Sequence, residues 1–275
     1  MLRTRTLSAL VLVPPVLAAL WLGLPGIAAL LGVAAAIGSL EVQRLLAGAG
    51  WPSMRAVGTI LAVALVAEAA IAPGAEWAAL VLATGALVAG VAAFARTDPR
   101  DGLVSWIATV FGAAYVGLLA FVLHLAARAP AIPAGSALAD LGPFRGWVVL
   151  LVLGVWSFDT GAYLVGRAIG RHHFLVHISP AKTLEGVVGG LIAATAVVAL
   201  VLAGLGQPPL GALVLGPLLG LAAQAGDLAE SMLKRAAGAK DSGTLIPGHG
   251  GVLDRTDSFL FAAPMVTLYV VALVR

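Results

Sequence analysis

Apolar runs long enough to cross a bilayer as helices recur from one end of this chain to the other, and little else in the sequence leaves so few folds open. Nine can be traced, roughly Leu7–Leu24, Gly26–Leu46, Val57–Ala72, Trp77–Phe94, Leu103–Ala127, Trp147–Val165, Val187–Leu205, Leu210–Leu233 and Phe259–Val274. They are unbroken rather than alternating, so each must satisfy its backbone hydrogen bonds internally, which selects helices over a barrel. A single soluble core could not absorb that much apolar surface in a chain that is 61% hydrophobic with a mean hydropathy of +1.04. The expected fold is therefore an all-α polytopic integral membrane protein of about nine transmembrane helices. The chain has no cysteine, which excludes disulfides and thiolate metal sites.

The breaks between runs carry the topology. Leu24-Pro25-Gly26 and Gln207-Pro208-Pro209 read as tight reversals. The first run follows Arg3 and Arg5 like a signal peptide, but with further runs behind it we read it as a retained anchor. Nine crossings would place 13 of the 16 Lys and Arg residues on one side, leaving only Arg128, Arg145 and Arg275 on the other. Positive charge stays inside, so the amino terminus is expected in the cytoplasm and the carboxyl terminus outside, in the cell's inner (plasma) membrane. Trp21, Trp51, Trp77 and Trp147 fall near the ends of runs, where indole rings favour the headgroup layer. Residues 1–128 read as a scaffold rich in small residues, 129–146 as an external, proline-containing loop, and 147–275 as the catalytic region. Within the scaffold, Glu41 and Arg44 read as an exposed pair at a helix end, and His124 as a packed residue.

Charge is concentrated in Gly226–Ser258. Only 11% of the chain is charged, yet this stretch holds Asp227, Glu230, Asp241, Asp254 and Asp257 beside Lys234, Arg235, Lys240 and Arg255. Asp227, Glu230, Ser231 and Lys234 are spaced to share one helical face. Pro247-Gly248-His249-Gly250-Gly251 is a turn that lets backbone approach a ligand. Two more polar clusters lie upstream. Asp159 sits inside an apolar run, a costly place for a carboxylate without function. Ser179, Lys182 and Thr183 precede another run, where donors and a helix start suit phosphate oxygens. Oxygen-only acidic ligands suit Mg²⁺, which takes one or two carboxylates plus substrate phosphates. Together these groups point to metal-assisted transfer of a phosphoryl or nucleotidyl group on a lipid. A CTP-dependent lipid-alcohol kinase would need similar groups. A cation transporter could instead use Asp159, Asp227 and Lys234 as an ion path, but it leaves the basic glycine-rich turn unexplained.

The order of residues here resembles the phosphatidate cytidylyltransferase (CDP-diacylglycerol synthase) family. Its signature is similar to the run Ser231, Lys234, Arg235, Lys240, Asp241, Gly243, Pro247, Gly248, His249, Gly250, Gly251, Asp254, Arg255 and Asp257. Asp159-Thr160-Gly161-Ala162-Tyr163 and the segment Ser179 to Gly186 also resemble it, though Ala181 stands where a lysine is common. The resemblance implies transfer of CMP from CTP to phosphatidic acid, giving CDP-diacylglycerol and pyrophosphate. It also implies Mg²⁺, a second cation such as K⁺, and a homodimer in the lipid bilayer; no nucleic-acid partner is expected. The family's acidic pair would fall on Asp227 and Asp254 as metal ligands. Lys234, Arg235, Lys240 and Arg255 would face the triphosphate and departing pyrophosphate. Ser179 and Lys182 would contact a phosphate, and Thr183, Ser231, Asp241, His249, Gly250, Gly251, Asp257 and Asp159 would complete the substrate site.

Overall fold

The structure, a computed structural model, describes residues 13–72, 77–246, 248 and 250–274. The ordered elements are helices: α1 (Val13–Leu22), α2 (Leu24–Gly48), α3 (Arg55–Ile71), α4 (Ala78–Ala93), α5 (Pro99–Gly117), α6 (Ala120–Arg128), α7 (Gly142–Ile169), α8 (Leu184–Gly204), α9 (Ala212–Ala236) and α10 (Leu253–Leu273). Among the described residues no strand forms, only the isolated bridges His173–Thr183 and Ile246–Gly250. Each apolar run of the sequence thus carries helix, and the chain is an all-helical, multi-pass membrane protein. Among the described residues six segments are long and apolar enough to span a bilayer by length and composition: Leu24–Gly48, Pro99–Arg128, Ala139–Ile169, Leu184–Gly204, Pro209–Ala236 and Leu253–Leu273. At 17 and 16 residues, α3 and α4 fall short of that length.

The chain divides into two compact units. One comprises residues 1–123 together with 232–256, and the other 124–231 together with 257–275. In the first, α3 packs against α2, α4 and α5, and α5 also touches α2 and α4. Small side chains pack between these helices, with Ala35, Val42, Ala62, Ala89 and Ala113 essentially inaccessible. Small residues let the helices approach closely where lipid supplies no hydrophobic drive for helix pairing. The signature residues 232–256 belong to this unit, although the sequence reading groups them with the C-terminal helices.

The second unit is built on the long α7–α8 pair. The two helices meet along a face of small residues, so closely that a methyl group at Gly161 would lie 2.7 Å from the Ala193 side chain. Trp147 lies inside this unit with no exposed surface, whereas Trp21, Trp51 and Trp77 are exposed. The Trp147 ring is therefore packed against protein rather than presented to lipid headgroups. Helix α7 begins five residues before it, at Gly142, which places the indole in the second turn of a packed helix. His124 is packed, as expected, with Arg128 Nη1 3.2 Å from its Nδ1.

Candidate functional site

In the first unit, polar chemistry gathers where the chain passes from the end of α9 into α10. Lys234, in the last turn of α9, places its Nζ 2.6 Å from Asp254 Oδ1. Asp254 Oδ2 accepts three more hydrogen bonds, each of 2.8 Å, from the backbone N–H groups of Ser242 and Gly251 and from Ser242 Oγ. A carboxylate offers about four lone-pair sites, two on each oxygen, and both oxygens of Asp254 are engaged. Its side chain is 6% exposed and that of Lys234 12%, which places the pair away from the screening that weakens surface ion pairs.

A second carboxylate holds the same loop from the far end of the sequence. Glu41, on α2, accepts from Val252 N at 3.1 Å through Oε1, and from Leu253 N at 2.8 Å and Ser242 Oγ at 3.1 Å through Oε2. It is 2% exposed. The expected exposed pair with Arg44 is therefore wrong: Glu41 faces inward and Arg44 outward. Leu253 is the first residue of α10, where backbone N–H groups lack intrahelical partners and favour negative charge. Three successive N–H groups, those of Gly251, Val252 and Leu253, thus end on two carboxylates. Close approach demands glycine here. A methyl group at Gly251 would lie 2.4 Å from Glu41 Oε1, and one at Gly243 would lie 2.5 Å from it.

In the second unit, the loop between α7 and α8 folds back as a small hairpin. His173 and Thr183 form its bridge, and Leu184 N donates to His172 O at 2.9 Å. Thr183 caps α8, its Oγ1 accepting from Gly186 N at 3.2 Å. The hydroxyl read as a phosphate donor is thus engaged in starting the helix. Glu185 closes the loop by accepting from the backbone N–H groups of Arg171 and His172 and by bonding the His172 ring. So ordered, the hairpin presents Lys182, whose Nζ lies 2.7 Å from Asp227 Oδ2 on α9. Ser231, one turn further along α9, donates to Asp227 Oδ1 at 3.3 Å, as the helical spacing anticipates. Glu230 is fully buried, whereas the Asp227 side chain stays 37% exposed. Beside it, α9 and α10 approach so closely that a methyl at Gly226 would lie 2.3 Å from the Asp257 carbonyl oxygen.

Of the other expected residues, Arg235 is exposed and donates to Ala239 O at 3.2 Å, and Lys240, Asp241 and Arg255 are exposed as well. Gly250 has φ of 79°, in the left-handed region that favours glycine. Asp257 Oδ1 accepts from Ser258 N at 2.7 Å. Ser179 is half-buried in the turn of the hairpin, and Asp159 is exposed on α7. His249 and Pro247 lie outside the described residues. Among the described residues no three His, Cys, Asp or Glu side chains cluster as a metal cage. The donor set present, single carboxylates with lysine partners, fits an ion that keeps water and takes its remaining ligands from substrate phosphates, as Mg²⁺ does.

Residues 3–273 match the model of the cytidylyltransferase family. The chain belongs to the cytidylyltransferase family. Individual relatives agree. Over 190 residues it is 42% identical to phosphatidate cytidylyltransferase of Brucella suis biovar 1, covering 68% of this chain and 65% of that protein. Over 123 residues it is 50% identical to phosphatidate cytidylyltransferase of Synechocystis sp., covering 43% and 41%. Over 119 residues it is 45% identical to the protein of the same name in Bacillus subtilis, covering 41% and 42%. The chain spans less than two thirds of the length of these curated relatives. For this cytidylyltransferase-family chain, reading the sequence alone missed Glu41. The signal was present, since a carboxylate within an apolar run needs partners, but its partners lie 201 to 212 residues away.

Proposed function

We propose that this chain transfers CMP from CTP to phosphatidic acid, releasing pyrophosphate and CDP-diacylglycerol for phospholipid synthesis. The observation that carries the proposal is the pairing of each carboxylate expected to hold the metal with a lysine, Asp227 with Lys182 and Asp254 with Lys234. Family membership and relatives named phosphatidate cytidylyltransferase support the same reading. In the reaction, a lipid phosphate oxygen forms a bond to the α-phosphorus of CTP. The bond from that phosphorus to the bridging oxygen breaks, and pyrophosphate leaves with the electron pair. A phosphomonoester has its second pKa at about 6 and is largely a dianion at neutral pH, so no strong general base is required. The obstacle is repulsion between two anions, and the groups that answer it are cations placed in advance.

Lys182 and Lys234 are the ammonium groups we assign to the phosphates, each held by its carboxylate until substrate binds. Lys240, Arg235 and Arg255, exposed on the basic segment, are assigned to the triphosphate and pyrophosphate. On the sequence reading, Asp227 and Asp254 are the carboxylates for Mg²⁺. Asp227 has accessible oxygens for this, while Asp254 becomes available through Oδ1 once Lys234 turns to a phosphate. When bound, Mg²⁺ neutralises charge on the nucleotide phosphates; K⁺ as a second cation and a homodimeric assembly belong to the same proposal. The charge asymmetry of the loops supports nine crossings, a cytoplasmic amino terminus and a site reached from the cytoplasm.

The test is incubation of purified protein with phosphatidic acid, Mg²⁺ and each nucleoside triphosphate in turn. CMP attached to lipid with pyrophosphate released, for CTP above other nucleotides, is the expected result. Phosphate attached to a lipid alcohol with CDP released would replace this reading with a kinase.

A further inference from the structure

We infer that Glu41 is a positioning residue for the glycine-rich signature segment. It sets the start of α10, and with it Asp254, from a helix otherwise read as scaffold. Its carboxylate takes the N–H groups of Val252 and Leu253 and the hydroxyl of Ser242. That hydroxyl also lies 2.8 Å from Asp254 Oδ2. A hydroxyl has one hydrogen to donate, so Ser242 links the two carboxylates by serving one at a time. The chain of contacts runs from Glu41 through Ser242 to Asp254 and on to Lys234.

Two signature glycines take their meaning from this. A methyl group at Gly251 would fall 2.4 and 2.5 Å from the Glu41 oxygens and 2.3 Å from Ser242 Oγ. One at Gly243 would crowd Glu41 Oε1 in the same way. The segment is short of side chains where it wraps a carboxylate contributed from α2. Nor is glutamine a neutral replacement. Both carboxylate oxygens accept from backbone N–H groups, so an amide, whichever way it turns, sets its NH₂ against a donor. A buried donor left without an acceptor carries its full desolvation cost.

The inference rests on the proposed reaction only for its kinetic arm, and the experiment separates the two. Full-length protein in lipid nanodiscs, as wild type, Glu41→Gln and Glu41→Asp, is assayed for kcat and KM with CTP and phosphatidic acid. In parallel, hydrogen–deuterium exchange is followed at residues 251–253. Glu41→Gln is expected to lower kcat at least tenfold with KM for CTP within about twofold, since Asp254 is displaced rather than lost. Exchange at Val252 and Leu253 should rise at least tenfold while α3 and α5 keep their protection. Glu41→Asp, which keeps the charge on a shorter arm, should recover part of both. Glu41→Gln with wild-type kcat, or with unchanged protection at Val252 and Leu253, overturns the inference. If that variant does not insert, Glu41→Asp carries the exchange test alone, and wild-type protection there overturns it equally. If the wild type forms no liponucleotide the proposed reaction fails, while the exchange arm still decides the role of Glu41.

Discussion

At Asp254 four donors meet one carboxylate, which makes its replacement a specific experiment. Both oxygens are engaged, Oδ1 by Lys234 and Oδ2 by Ser242 and Gly251. Asparagine therefore turns an NH₂ either against the ammonium or against the three loop donors. Liponucleotide formation by Asp254→Asn is expected to fall by about 10²- to 10³-fold, the range for removing a preorganised electrostatic contact. The thermal midpoint should also drop, because a buried unsatisfied donor costs about 1–3 kcal/mol. Normal turnover in detergent contradicts the assignment. Lys182 makes a different prediction, since its partner Asp227 is more accessible. Lys182→Met should lower kcat/KM about 10- to 100-fold, in line with the ~1.5–3 kcal/mol of a hydrogen bond to a charged group. Lys182→Arg should retain part of the activity, and an unchanged kcat/KM for the methionine variant removes Lys182 from the mechanism.

At the scale of elements, three helix starts or crossings decide where these side chains go. Helix α8 begins at Leu184 because the Thr183 hydroxyl before it accepts from Gly186 N, and Glu185 then ties the first turn back to Arg171 and His172. Lys182 is held by the geometry just before that start. Helix α10 begins at Leu253 with its first N–H on Glu41. Between α9 and α10 the crossing at Gly226 leaves no room for a side chain. Gly226→Ala pushes a methyl into the Asp257 carbonyl, and overpacking of this kind costs about 1–3 kcal/mol. The expected outcome is a lowered thermal midpoint together with a fall in activity, because Asp227 is the next residue of α9. A variant with wild-type midpoint and activity would show that α9 and α10 can separate there without consequence.

At the scale of the molecule, the two compact units are not the two halves of the sequence, since residues 232–256 group with the N-terminal helices. The absence of native cysteine opens a direct test of sidedness. Lys240→Cys and Ala137→Cys, both at exposed loop positions, provide unique labelling sites in intact cells. A membrane-impermeant maleimide should modify the Ala137→Cys protein from outside. It should modify the Lys240→Cys protein only after the membrane is opened. The reverse pattern overturns the proposed orientation.

Much of this was legible in the chain alone. The helical membrane class follows from the length and continuity of apolar runs, because a backbone in lipid must satisfy its polar groups within its own segment. The Asp227–Ser231 contact follows from helical periodicity, and the family follows from the order of residues between Ser231 and Asp257. These are local properties, readable over a few turns. What only the tertiary structure decided is which distant faces meet. It turned Glu41 inward to a loop more than 200 residues away and buried Trp147. It also matched Lys182 to Asp227 and Lys234 to Asp254. Helix packing among small residues depends on contacts between segments far apart in the chain, and no single run of sequence contains both partners.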